Sequence, residues 1–221
     1  MTQIYTDNSG NEYVAICFGG FNYDINRNKL YLTLCVYNIT EKRIVYTKYV
    51  NNRILEKDES DTFAGKIWYA DGKLLVGQAK RIYCYDAFKD EGGPKWEHTT
   101  VLNDGIGFGS DNDNVSKVRV FENIGLVFCM DHLIGINMNT GKPIYHVEAA
   151  GGNDVAIIDG VIYQRESSDL QMRDPRTGKE LKRVATPSNE QAFSSARPNG
   201  ADGKIYIHSY THAYCIKAWG K

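Results

Sequence analysis

GLVFCMDHLIGINMNTGKPIY (residues 125–145) and GVIYQRESSDLQMRDPRTGKEL (residues 160–181) decide the fold, because the second is a rewriting of the first. Each opens on a glycine and runs through an apolar strand. A second strand then ends in Asn137 or Asp174, and a Thr-Gly-Lys turn follows. DGKLLVGQAKRIYCYDAF (71–88) and DGKIYIHSYTHAYCIKA (202–218) are further copies that lack the last turn. Asp71-Gly72, Asp159-Gly160 and Asp202-Gly203 each open a strand, and Asp-Gly suits a tight hairpin because both residues tolerate positive φ. Asn123-Ile124-Gly125 is a looser copy of the same signal.

Working outward, setting Asp86, Asn137, Asp174 and Lys217 level brings Tyr37 into the same column, with a mean step of about 45 residues. A third strand follows each turn: PIYHV after Thr140-Gly141-Lys142, ELKRV after Thr177-Gly178-Lys179, and RIVYT after a degenerate Thr40-Glu41-Lys42. In the second copy the turn is expanded to KDEGG before PKWEH. One more short strand precedes each hairpin: KIWYA, KVRVF and DVAII. Each unit therefore reads as four antiparallel strands, and a period of about 40–50 residues is that of a propeller blade. No stretch shows the 3.6-residue period of a helical solenoid.

The predicted fold is all-β, a β-propeller of about five four-stranded antiparallel blades, with a β-sandwich as the alternative. As a single propeller domain over 1–221, its blades fall at about 1–60, 61–112, 113–149, 150–190 and 191–221. The strands number roughly nineteen where five full blades need twenty, and the fifth copy ends after its third strand. The segment QIYT near the N-terminus is the expected source of the missing strand, because a propeller must cover its sheet edges. The other possibility is that the five units belong to a larger ring.

The order of turn, apolar strand, strand ending in Asp or Asn, and Thr-Gly-Lys resembles the pyrroloquinoline-quinone-like propeller repeat. The resemblance covers most of residues 61–221. It implies a propeller, and it implies that Trp96 and Tyr145 stand where an aromatic docks one blade on the next, with Lys182 at that place in the fourth copy. A catalytic quinone enzyme of this type would bring a vicinal cysteine pair, a calcium site and a longer chain. The five cysteines here include no adjacent pair, so the resemblance implies a non-catalytic member without a quinone cofactor.

Composition narrows the partners. Lys+Arg is 26 against 27 Asp+Glu, which removes the basic excess that drives nucleic-acid binding. No apolar run reaches the roughly 18 residues of a membrane-spanning helix. Met1 to Gly10 are polar and carry no visible secretory signal. Five scattered cysteines without a CxxC pair point to free thiols and a cytoplasmic setting, while a removed N-terminal signal would place the chain in the periplasm or at the cell surface. Cys35, Cys84, Gly135, Met172 and Cys215 all fall two residues before the repeated column, which predicts a packing position for small or soft side chains.

Candidate sites are sparse. Five residues before the hairpin Asp stand Lys66, Asp154 and Arg197, with Lys117 in the looser third copy. They begin the strand that lines the channel of a propeller, so a basic set beside Asp154 would meet an anionic group or a partner's acidic side chain. Asp111 and Asp113 offer oxygen ligands to Ca²⁺ but lack the glycine and distal glutamate of a calcium loop. His208 and His212 span a hairpin turn and offer imidazoles to zinc without a third ligand. GIGFG at 105–109 precedes SDNDN rather than a helix, so it reads as a loop between blades and not as a phosphate cradle. The expected function is a non-enzymatic propeller scaffold that binds a protein or small ligand through its loops and channel mouth. The alternative is a propeller enzyme or carbohydrate-active protein using a metal or carboxylates such as Asp58, Glu59 and Asp61. Oligomeric state is not legible.

Overall fold

The computed structural model describes residues 2–21, 29–54, 66–78, 80–100, 115–129, 132–148, 155–187, 192–193 and 197–220. Among these residues every regular element is a strand, nineteen in all, and they form five antiparallel sheets. The first sheet holds β1 (Thr2–Thr6), β2 (Glu12–Phe21), β3 (Lys29–Asn38) and β4 (Arg43–Ile54), side by side in chain order. The second holds β5 (Lys66–Ala70), β6 (Lys73–Gln78), β7 (Arg81–Asp86) and β8 (Trp96–Thr99). The third holds β9 (Lys117–Phe121), β10 (Ile124–Phe128), β11 (His132–Asn137) and β12 (Pro143–Glu148). The fourth holds β13 (Val155–Ile158), β14 (Val161–Glu166), β15 (Asp169–Arg173) and β16 (Glu180–Val184). The fifth holds β17 (Asn199–Ala201), β18 (Lys204–His208) and β19 (Ala213–Lys217).

The hairpins form as their turn chemistry dictates. Asp71, Asp159 and Asp202 sit at φ 47, 48 and 52°, and the glycine after each is also positive, the combination a two-residue hairpin needs. The loose third copy differs: its turn is Glu122-Asn123, Glu122 takes φ 52°, and Gly125 lies inside β10. At the end of the third strand the repeated acid or amide caps the next turn. Asp86 Oδ1 accepts from the Phe88 and Lys89 amides, Asn137 Oδ1 from those of Asn139 and Thr140, and Asp174 Oδ1 from that of Arg176.

Two expectations are corrected. QIYT does not complete the fifth sheet: it lies in β1 and pairs with β2, Ile4 opposite Val14. Asp7 closes the local turn by accepting from the Ser9 and Asn11 amides, and closing so short a loop costs far less chain entropy than recruiting a distant strand. The first-copy member of the column is Asn38, not Tyr37. Asn38 Oδ1 accepts from the Glu41 amide as its counterparts do. The ladder slips between Val36 and Tyr37, between Gly135 and Ile136, and between Met172 and Arg173, which is the same place only when Asn38 is level with Asn137 and Asp174. The degenerate turn had hidden the slip, because Lys42 adopts φ 56° where Gly141 and Gly178 adopt 70 and 71°.

The chain divides into two compact units, Met1–Val115 and Ser116–Lys221. In the first, Tyr13, Ala15, Leu34 and Val36 of the first sheet pack on Leu74, Val76, Tyr83 and Tyr85 of the second. In the second unit, Leu126, Phe128 and Leu133 of the third sheet pack on Val155 and Ile162 of the fourth. Tyr163, Leu170 and Met172 of the fourth sheet pack in turn on Ile205 and Ile207 of the fifth. The rule is the same each time. A forward face, carrying the residue two before the column, covers the rear face of the sheet that follows in its unit.

In two of these packings, first sheet on second and third on fourth, a tyrosine reaches across. Tyr145 of β12 sends its hydroxyl to the Pro175 carbonyl at 2.8 Å, in the turn of the fourth sheet. Tyr46 of β4, at the same offset from Asn38, donates to the Asp86 carbonyl at 2.6 Å in the second sheet. The Tyr145 ring lies so close to the next turn that a Cβ on Gly178 would come within 2.6 Å of it. Gly178→Ala therefore meets both a φ of +71° and a clash, and is expected to cost ~2–3 kcal/mol in urea unfolding. Gly92→Ala, at φ +88° with nothing within 4 Å, separates the two effects and is expected to cost about 1 kcal/mol. Equal losses in the two variants would show that Tyr145 does not depend on the missing Cβ.

Candidate functional site

The basic strand starts are built by the sheets as the repeat requires. Lys66 is the first residue of β5 and Lys117 the first of β9, both half-buried, and Arg197 is exposed two residues before β17. Lys66 Nζ donates to the Val115 carbonyl at 2.9 Å, so part of its charge already faces a backbone oxygen. Lys66 belongs to the first unit, and Lys117 and Arg197 to the second. Asp154 lies outside the described residues, as do Asp58, Glu59, Asp61, the 105–109 loop, Asp111 and Asp113.

His208 and His212 are both exposed around the β18–β19 turn. Nδ1 of His208 donates to the Ser209 carbonyl at 2.8 Å, and Nδ1 of His212 pairs with the Thr211 hydroxyl at 2.8 Å. The turn thus uses both rings locally. Among the described residues no three His, Cys, Asp or Glu side chains gather into a possible metal site.

The cysteine column is half corrected. Once Asn38 is level with Asp86, the position two before it is Val36, and Cys35 moves to the opposite face, half-buried. Val36, Cys84, Gly135 and Met172 are buried as a packing position should be. Cys215 occupies that position on β19 and is exposed, because it points from the forward face of the fifth sheet. Burial pushes the Cys17 and Cys84 thiols up to about 12, so at neutral pH both are held as unreactive thiols. In a native thiol titration at pH 8, Cys215 is expected to react first and Cys35 next, with Cys17, Cys84 and Cys129 reacting only after unfolding. Three or more fast thiols in the folded chain would contradict this burial.

Sequence reasoning missed an exposed apolar face. The rear face of the first sheet exposes Ile4 (64%), Ile16 (37%), Phe18 (54%), Ile44 (61%) and Tyr49 (76%). Register places them together: Ile16 lies opposite Cys35, Phe18 opposite Thr33, and Thr33 opposite Tyr49. The unbroken apolar run YVAICF (13–18) carried the signal, since a strand with apolar residues on both faces does not alternate as a strand with one solvent-facing side does. Exposed apolar faces of this kind are uncommon on folded chains.

No family model and no curated protein matches the sequence. Solved structures do match. BamB from Moraxella catarrhalis superposes with a TM-score of 0.58 at 14% identity, over 98% of this chain and 72% of that one. A europium-containing methanol dehydrogenase gives a TM-score of 0.53 at 11% identity, over 81% of this chain and 47% of that one. The AfRom2 CNH domain gives 0.52 at 13% identity, over 100% of this chain and 65% of that one. At such identities the likeness shows the fold, and the fold is the all-β propeller type. No helix among the described residues is long and apolar enough to cross a membrane.

Proposed function

We propose that this chain is a non-catalytic member of the pyrroloquinoline-quinone-like propeller repeat type and serves as a protein-binding scaffold. The internal repeat, and the structural likeness to BamB and a methanol dehydrogenase, support the family reading. The observation that carries the binding reading is the exposed apolar rear face of the first sheet, whose forward face is already buried on the second. Rigid sheets hold Ile4, Phe18 and Ile44 in a fixed array, so little side-chain or loop entropy is lost when a partner covers them. In capture and cross-linking from a lysate of the source organism, the double variant Ile4→Lys plus Phe18→Asp is expected to lose the partners that the wild type retains. A variant that captures the same set would overturn the reading.

The basic strand starts are proposed as a second, electrostatic contact for acidic side chains of a partner. Lys117 and Arg197 can be tested within their own unit. Poly-glutamate, titrated at low salt, is expected to bind Lys117→Ala plus Arg197→Ala about tenfold more weakly than the wild type, an advantage that shrinks as salt rises. Unchanged affinity would remove these residues from the binding surface. The enzyme alternative draws its carboxylates from residues outside the described set, so no described geometry favours it.

A further inference from the structure

The rear face of the fourth sheet breaks a pattern that its neighbours keep. Register sets the pair Gln164–Gln171 level with Val76–Tyr83 in the second sheet, Val127–Ile134 in the third and Ile207–Tyr214 in the fifth. One row on, Arg173 stands where those sheets carry Tyr85, Ile136 and Ile216. Positions that are aliphatic or tyrosine elsewhere are here two glutamines and an arginine, and all three are buried. A bonded chain holds them. Arg173 Nε donates to Gln171 Oε1 at 2.7 Å, Gln164 Nε2 donates to the same oxygen at 2.8 Å, and Gln171 Nε2 donates to Glu180 Oε2 at 2.6 Å. The burial still costs stability: the guanidinium bonds only neutral acceptors, and Gln164 Oε1 meets no donor among the described residues. The aliphatic residues of the other sheets would fill these places without that cost, so stability alone does not explain the row.

We propose that this row is a recognition device: it makes the docking of the third sheet on the fourth exclusive, and so fixes the order of sheets within the unit Ser116–Lys221. Sheets built on one repeat present similar apolar faces, and repeat chains misassemble by exchanging such elements between copies. A polar row on one rear face removes the likeness, because whatever docks there has to meet its hydrogen-bonding groups. The third sheet does so. Glu148, at the end of β12, gives its carbonyl to Arg173 Nη2 at 2.8 Å. Arg173 Nη1 holds the Gly178 carbonyl at 2.8 Å, in the turn that the Tyr145 ring lies against. Tyr145 donates to Pro175 in the same turn, and Glu122 of the β9–β10 turn pairs with Arg176, whose guanidinium lies 4.8 Å over the Phe121 ring. The fourth sheet's own forward face lacks this set. Lys182 lies opposite Met172 as Tyr145 lies opposite Gly135, so a second copy docking by that face would bring a lysine toward Arg173 and no hydroxyl to Pro175.

Giving the fourth sheet the third sheet's residues tests this. The variant Gln164→Val, Gln171→Ile and Arg173→Ile is expected to unfold in urea at a midpoint no lower than that of the wild type, since replacing a whole buried polar set by packed apolar residues is often neutral or stabilising. Its refolding is expected to suffer instead. After dilution from urea at micromolar concentration, light scattering on a sizing column is expected to show about twofold less of the starting species than the wild type returns, with the remainder in exchanged multimers whose share rises with concentration. If that set does not fold by circular dichroism, the fifth sheet's set, Gln164→Ile, Gln171→Tyr and Arg173→Ile, replaces it. A midpoint below the wild type's, whatever the refolding, makes the row a plain stabilising network and overturns the proposal, as does failure of both sets to fold. Refolding as clean as the wild type's overturns it too, because the order of sheets would then be specified without the row.

Discussion

The packing of the first sheet on the second, and of the third on the fourth, turns on one contact, a tyrosine hydroxyl donated to a backbone carbonyl in the neighbouring sheet's turn. Tyr46 does this to Asp86 and Tyr145 to Pro175. Apolar burial between sheets is large but non-directional, and by itself lets two sheets slide. A buried hydroxyl has no such freedom: away from its acceptor it loses the full cost of desolvation rather than the ~1 kcal/mol that a hydrogen bond nets. Burial raises both phenols well above the ordinary tyrosine range, so they stay protonated donors. The acceptor must then be held still, which is what the capping acid or amide does. Asp86 and Asp174 bind the amides of the turns whose carbonyls receive the tyrosines.

The fold was legible because each of these devices leaves a residue-type signature at a fixed offset. Asp-Gly at the hairpin, Asp or Asn at the strand end and Thr-Gly-Lys beyond it are demanded by backbone geometry, and they recur clearly between residues 71 and 218. The first copy resisted. There Lys42 takes the left-handed conformation without a glycine, so no residue type in the turn distinguishes Asn38 from Tyr37 as the member of the column. A slip of one residue exchanges the two faces of a strand. It turned Cys35 into a packing residue and kept Tyr46 out of the docking position, where offset alone would otherwise have placed it. The ring-closing role given to QIYT failed for a different reason. Pattern identifies a strand but not its partner, and the short Asp7 turn settles the partner locally.

The candidate site was less legible because it is a property of neighbours rather than of residues. Cys84 and Cys215 hold the same place in the repeat, yet one is fully buried and the other exposed. Tyr83 and Cys35 are likewise equivalent, and only the one in the second sheet is sealed by the sheet before it. No composition or spacing distinguishes the members of such pairs. What differs is whether a neighbouring sheet of the same unit lies against them.

Packing within a unit also bears on the character of a face. A face covered within its unit is free to be apolar throughout, since only the neighbouring sheet has to complement it. The first sheet's rear face is apolar in that way, with Ile4, Ile16 and Phe18 on adjoining strands and Glu12 at one end, although nothing in its own unit seals it. Selection for solubility alone would place charges along such strands, as it does on ordinary sheet edges and faces. The fifth sheet's forward face has moved part of the way, with Lys204 and Lys217 beside Tyr206.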